Sequence, residues 1–354
     1  MFIRNTWYVA GWSGEVPADG FLARTILNTP LALWRDAQGH VVAFEDMCCH
    51  RGAPLSRGRR EGDCVRCLYH GLLFDRSGKC VEVPSQDLVP ANARVRTFPI
   101  VERHHWIWIW MGDVEKADAA LVPDTHWLDD PAWRSIKGGY THYDANYMLI
   151  CDNLLDLAHL PYVHPTTLGG SEDYAKGQVK VERIERGVRV TRWALDIAPP
   201  PFIQKVRPFA GNVDRWNTYD FLVPGIFLMD SGMAPVGTGA PEGKLVDAAR
   251  FHSCQALTPE NENATHYFFG QPHDFALDRP DVTQSVHDSV AEAFEEDRAM
   301  VTAQARNLEK RPDFRMVPIR ADGALSQYRW IVERMLEAEA QPAPTRPVVS
   351  SAAS

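Results

Sequence analysis

The chain has 354 residues, 45% of them hydrophobic and 23% charged, which is the make-up of a folded globular protein with a sizeable core. It excludes a mostly disordered, collagen-like or coiled-coil chain. At roughly 100–200 residues per domain, two domains are expected. The formal net charge of −9, from 37 Lys+Arg against 46 Asp+Glu, argues against nucleic acid or an anionic membrane as main partner, because both demand clustered positive charge.

The segment Met1-Phe2-Ile3-Arg4-Asn5-Thr6-Trp7-Tyr8 lacks the basic and apolar stretches of a signal peptide, and no run of about 18 apolar residues follows. No membrane span and a cytoplasmic location are therefore expected. Leu31–Arg35 and His40–Phe44 read as short strands separated by the turn Asp36-Ala37-Gln38-Gly39. Five of the seven cysteines fall between 48 and 80, which in a reducing compartment points to metal or redox chemistry before disulfides. His105-Trp106-Ile107-Trp108-Ile109-Trp110 has the content of a buried strand. Residues 1–115 are thus expected to form a small all-β domain. Residues 116–340 mix helices, expected at Tyr147–His159 and Asp281–Lys310, with strands at Lys180–Trp193 and Thr218–Met229; Pro199-Pro200-Pro201 marks a loop. Residues 341–354 have the composition of a disordered tail. The expected fold class is α+β.

Cys48-x-His50 and Cys67-x-x-His70 are two short chelating pairs, each with one thiol and one imidazole at a turn rich in Gly or Pro. Two Cys on one iron and two His on the other is the Rieske form of a [2Fe–2S] cluster, and two such loops at the tip of a sheet would clamp it. The competing reading is zinc, with Cys64-x-x-Cys67 as half a site and His70 nearby. Cys48 and Cys49 are adjacent, so no matching Cys-x-x-Cys stands upstream.

A second constellation lies in Asp152-Asn153-Leu154-Leu155-Asp156-Leu157-Ala158-His159, where Asn153, Asp156 and His159 recur every third residue along one side of the expected helix. Pro161 ends that helix and lets His164 approach His159. Two His and one carboxylate on one face of an iron leave positions open, as in non-haem Fe(II) oxygenases. Asp156 is placed to accept the ring N–H of a liganding His. For the third ligand, Val282, Val286, Val290, Ala293, Phe294, Val301 and Leu308 share one stripe of the helix 281–310. Asp297 falls inside that stripe, whereas Glu292, Glu295 and Glu296 fall outside. A carboxylate facing a core is costly unless paired or metal-bound, so Asp297 is the chosen acid, with a buried Asp bonded to Arg or a backbone amide as the alternative.

These motifs resemble the catalytic (α) subunit of the Rieske non-haem iron oxygenases, nearest the vanillate O-demethylase and dicamba monooxygenase branch. The resemblance is carried by Phe2-Ile3-Arg4-Asn5-Thr6-Trp7-Tyr8-Val9-Ala10, Cys48-Cys49-His50-Arg51-Gly52-Ala53-Pro54-Leu55-Ser56, Tyr69-His70-Gly71-Leu72, Asp152–His159, Tyr162-Val163-His164 and Glu296-Asp297-Arg298. Pro usually stands where this chain has Cys49 and Leu68, and neither position is a ligand. The resemblance implies a Rieske domain followed by a helix-grip catalytic domain, a homotrimer, and a flavin/iron–sulfur reductase delivering electrons from NAD(P)H. It implies [2Fe–2S] held by Cys48, His50, Cys67 and His70, and Fe(II) held by His159, His164 and Asp297. Asp156 would relay electrons from the neighbouring subunit's cluster, with Asn153 beside it. The implied activity is that of an oxidoreductase, an O2-dependent aromatic monooxygenase that demethylates or hydroxylates a methoxylated aromatic acid. Ring or angular dioxygenation of another aromatic, such as a phenoxybenzoate, is the alternative, and diaryl ethers, aryl sulfonates and N-methyl heterocycles are further substrate classes. A Rieske electron carrier would be the non-enzymatic reading, but the second iron site argues against it. For the substrate pocket, Phe221 and Ile226–Met229 offer an apolar slot. Strand alternation over Ala249–Gln255 puts Arg250 and His252 on one face and Gln255 on the other, and leaves open which face anchors the substrate.

Overall fold

The computed structural model describes residues 1–169 and 171–341; the expected tail beyond Gln341 lies outside them. The first 110 residues hold β1 (Trp7–Trp12), β2 (Leu22–Ile26), β3 (Thr29–Arg35), β4 (Val41–Glu45), β5 (Arg59–Glu61), β6 (Cys64–Arg66), β7 (Leu73–Asp75), β8 (Cys80–Glu82), β9 (Thr97–Phe98), β10 (Ile100–Arg103) and β11 (Trp106–Trp110). They form three antiparallel sheets, in the orders β1-β11-β10, β2-β3-β4-β9 and β5-β6-β7-β8. Strand β11 is buried on both faces because its residues alternate between two cores: Ile107 and Ile109 join one, while Trp106, Trp108 and Trp110 join another with Trp7 and Trp12. A third small core, around Trp34, Phe44, Val65 and Phe74, supports the two Cys–His loops.

The rest of the chain is built on β12 (Gly139–Tyr143), β13 (Gln178–Ile184), β14 (Gly187–Ile197), β15 (Val213–Leu222), β16 (Ile226–Pro235), β17 (Ala249–Asn261) and β18 (Ala264–Gly270). These make one antiparallel sheet in the order β12-β18-β17-β16-β15-β14-β13. Helices α1 (Tyr147–Leu155), α4 (Pro280–Lys310) and α5 (Gly323–Ala340) pack on one face of it, while α2 (Leu160–Val163) and α3 (Pro201–Val206) are short. The opposite face offers Ile226, Cys254, Ala256 and Phe268 to the tryptophan core, which joins the N-terminal sheets to this one. The fold is α+β, an all-β Rieske part followed by an antiparallel sheet with helices. No described helix is long and apolar enough to cross a membrane.

Three expected elements differ. The run Lys180–Trp193 is a hairpin, β13 and β14, turning at Glu185-Arg186. The run Thr218–Met229 is likewise two strands, turning at Val223-Pro224-Gly225. The helix expected over Tyr147–His159 stops at Leu155. Asp156 is extended (φ −129°, ψ 97°) and its carboxylate accepts the Ala158 N–H at 2.9 Å, capping a 3₁₀ turn, Leu157–His159. An Asp side chain competes with the helical backbone in this way and so favours a cap over a helix interior.

Candidate metal centres and the cavity between sheet and helices

The two Cys–His loops repeat one geometry. The Cys48 N–H donates to the Ala53 carbonyl and the Gly52 N–H to the Cys48 carbonyl, each at 2.8 Å; the Cys67 N–H donates to Leu72 and the Gly71 N–H to Cys67, at 2.8 and 2.9 Å. Both turns need a left-handed residue, supplied by Gly52 (φ 69°) and Gly71 (φ 81°). The thiols of Cys48 and Cys67 point into the small core, both unoxidised, whereas His50 and His70 are exposed, their ring centroids 4.5 Å apart. Burial above all, with Cys67 beside it, pushes the Cys48 thiol up to about 12. Two thiols and two imidazoles at paired turns are the donor set of a two-iron cluster. No three of these four residues bring their donor atoms within 4.8 Å of one another. That counts against a single zinc ion and fits the wider span of a two-iron cluster.

His159, His164 and Asp297, by contrast, do converge within that limit. Asp297 Oδ1 lies 3.2 Å from His164 Nε2 and 3.6 Å from His159 Nε2, and it accepts the Asn153 amide N–H at 2.9 Å. Asp297 is only 4% exposed, on the stripe of α4 that also buries Val286, Val290, Phe294 and Val301. His159 Nδ1 is 2.7 Å from the Asp156 carbonyl, an acceptor only, so that nitrogen carries the proton. Burial holds the His159 pKa below its usual range, leaving a bare Nε2 lone pair facing the Asp297 carboxylate. That juxtaposition is repulsive unless a cation sits between them. His164 Nδ1 is 2.6 Å from Glu296 Oε2, which also accepts the Thr167 hydroxyl at 2.8 Å. Burial disfavours the charged form of His164, but Asp297 and Glu296 on either side outweigh it and raise its pKa, so positive charge is favoured at this point.

Asp156 therefore reaches His159 through its backbone carbonyl rather than its carboxylate, which stands 3.6 Å from Arg192 Nη2. Asn153 is joined to Asp297 rather than to Asp156. Glu296 lies outside the apolar stripe yet orients His164; hydrophobic periodicity selects residues aimed at the core and passes over one aimed sideways at a histidine.

The triad opens into a narrow cavity between sheet and helices. Its walls include Leu154, Leu157, Phe227, Met229, Phe251 and Phe294. The odd-numbered face of β17 lines it, through Phe251, Ser253 and Gln255. Arg250 and His252 point the other way, which settles the alternation left open by the sequence: His252 stacks on Trp127 (4.1 Å between centroids) and Arg250 lies over Trp133, 3.7 Å from Asp274. Burial lowers the His252 pKa to about 4, so it stays neutral. Gln255 faces the cavity with its amide held between Ser253 and Tyr267. Ile226 and Leu228 belong to the tryptophan core, leaving Phe227 and Met229 as the cavity part of the expected slot. Arg215 and Asn217 also line the cavity, and the strand expected to begin at Thr218 left them out. They alternate with Val213, Tyr219 and Phe221 on one face, and an arginine in such a row is the signal that would have found them.

The Rieske [2Fe-2S] domain family matches residues 6–99, and the vanillate O-demethylase oxygenase C-terminal domain matches residues 143–338. The chain is 49% identical to the toluene-4-sulfonate monooxygenase system iron–sulfur subunit of Comamonas testosteroni, over 96% of this chain and 98% of that protein. It is 39% identical to the dicamba O-demethylase oxygenase component of Stenotrophomonas maltophilia, over 86% and 88%. A crystal structure of dicamba monooxygenase bound to dicamba superposes with a TM-score of 0.88 at 35% identity, covering 96% of this chain and 99% of that one. With its paired thiol–imidazole loops ahead of a buried two-histidine, one-carboxylate site, the chain belongs to the Rieske non-haem iron oxygenases, oxidoreductases that carry a [2Fe–2S] cluster and a mononuclear iron and serve as oxygenase components of multicomponent systems acting on aromatic compounds.

Proposed function

We propose that the protein is a cytoplasmic, homotrimeric terminal monooxygenase that attacks the methyl or methoxy group of a single-ring aromatic acid. The observation that carries this is the meeting of His159, His164 and Asp297 at the wall of an apolar cavity. In this reading Cys48, His50, Cys67 and His70 hold the cluster. His159, His164 and Asp297 would hold the iron, which would supply O2 activation with electrons from a flavin/iron–sulfur reductase. The chain's own contribution is orientation: Phe227, Met229, Phe251 and Phe294 hold the ring and exclude water, while Asn153 and Glu296 fix the ligands. Two relatives are named for single-ring aromatic anions, toluene-4-sulfonate and vanillate, which supports that substrate class. Hydroxylating a methoxy methyl gives a hemiacetal that loses formaldehyde. The domain boundary is proposed near residue 115.

The test is reconstitution with a reductase and NADH. Methoxybenzoates should drive O2 uptake with stoichiometric formaldehyde. If they release only peroxide while another class is hydroxylated, O-demethylation is wrong and the iron assignments stand.

A further inference from the structure

Arg215 is 5% exposed and lines the same cavity as the triad. Its Nη1 donates to the carbonyls of Leu168 and Gly169, at 3.1 and 3.3 Å, and its guanidinium lies 4.5 Å over the Tyr174 ring. Its Nε and Nη2 make no hydrogen bond to a described residue, and no carboxylate stands within 4.0 Å of it among the described residues. The other arginine on Tyr174, Arg192, has Asp156 at 3.6 Å. Arg215 has no such counter-ion among the described residues. A buried cation is costly unless paired, and a guanidinium with two free N–H groups matches an oxyanion two-pronged.

The surroundings agree. Arg215 sits opposite Met233 on β16, and Asn217, two residues along the same face, opposite Ser231. The Tyr174 hydroxyl donates to Asn217 Oδ1, which turns the Asn217 amide N–H groups away from the tyrosine; one meets only the weak acceptor Met229 Sδ, at 3.2 Å. Donors thus gather at Arg215, Asn217 and Ser231, in a chamber whose other polar lining is the triad, Ser253, Gln255 and Gln271.

The geometry points to Arg215 as the anchor for an anionic oxygen group, a sulfonate or carboxylate, on the aromatic substrate, with Asn217 and Ser231 as its neighbours. This rests on the oxygenase reading and narrows its substrate to aryl oxyanions. The anion supplies the missing counter-charge, and the ring then lies along Met229 and Phe251 towards the triad.

The experiment is anaerobic calorimetric titration of the iron-loaded protein, with turnover measured separately. The probes are toluene-4-sulfonate and 4-methoxybenzoate against their uncharged counterparts, 4-methylphenyl methyl sulfone and methyl 4-methoxybenzoate. Wild type should prefer the anions, and the tighter of the two identifies the group. Arg215→Met should weaken the anions roughly 10- to 150-fold and move the uncharged pair about threefold or less, raising KM more than it lowers kcat. Arg215→Met also removes the tie to Leu168 and Gly169, four and five residues from His164, so loss of iron is a second route to weaker binding. Met233→Glu covers that case: it sets a carboxylate opposite Arg215, keeps the Nη1 bonds, and should expel the anions just the same. Unchanged anion affinity in both variants, with iron content and cluster spectrum intact, would make Arg215 a tie for the 168–169 loop and nothing more. So would a wild-type protein, iron in place, that binds neither anion. Failure of the oxygenase reading is seen elsewhere, as no substrate-dependent O2 uptake even though the anions bind.

Discussion

Asp297 offers one oxygen to two imidazoles and to the Asn153 amide, in surroundings with little water. Removing it deletes a ligand and the charge that draws a cation in. Asp297→Ala should therefore yield protein without mononuclear iron and without turnover, its visible cluster spectrum unchanged. A lost cluster spectrum would make Asp297 a support of the fold instead. Glu296 acts one step further out, holding His164 Nδ1 so that Nε2 points at the metal. Partners of this kind set metal affinity by about 10–100-fold. Glu296→Ala should accordingly lose iron to a chelator at a concentration about 10–100-fold lower than wild type needs. Equal retention would show that the fold alone orients His164.

The turns that carry the cluster ligands are equally specific in their backbone demands. At Gly71 (φ 81°) an added Cβ would stand 2.8 Å from Pro84 Cγ, in a ring that cannot swing aside. The left-handed conformation costs a non-glycine residue about 1–2 kcal/mol before that clash is added. Gly71→Ala should lower the melting temperature and speed bleaching of the cluster under air, while an exposed turn such as Gly39, where nothing lies within 4 Å of the Cβ position, should show only the conformational cost. Equal effects at the two sites would sink the packing argument. Signals of this kind were legible where they are local. The Cys–His pairs, their glycines and the stripe placing Asp297 inside α4 all stand in consecutive sequence. The break at Asp156 is hidden in the sequence because the every-third-residue spacing of Asn153, Asp156 and His159 continues through it, and only the capping bond to Ala158 distinguishes a 3₁₀ turn from helix. The hairpin turns at Glu185-Arg186 and Val223-Pro224-Gly225 are so short that the strands on either side run together in sequence as one stretch. Which face of β17 lines the cavity depends on the tryptophan core behind it, a contact between residues over a hundred positions apart.

At the scale of the whole molecule, the cluster and the iron look in different directions. His50 and His70 line a surface depression with Cys49 and Leu72, and neither reaches the cavity that holds the triad. In the proposed trimer, electrons leaving through those imidazoles would pass outward, towards a neighbouring subunit. In the proposed relay Asp156 would stand on their path: its carboxylate is partly exposed and its carbonyl fixes His159. Asp156→Asn keeps that carbonyl, and Asn caps a turn as well as Asp does, so fold and both metals should be retained. Turnover should nevertheless fall by orders of magnitude, with the charged acceptor of the relay gone. Cys67→Ala has the complementary fault, losing the cluster and keeping the iron. In a cyclic trimer each subunit meets the next through one repeated head-to-tail interface, so in an equal random mixture about a quarter of interfaces join an intact cluster to an intact Asp156. Co-refolded or co-expressed mixtures should then recover activity up to about a quarter of wild type, although each variant alone is inactive. Verified mixed trimers that stay inactive would mean that electrons travel within one chain, and iron lost from Asp156→Asn would mean that its carboxylate builds the site rather than feeding it.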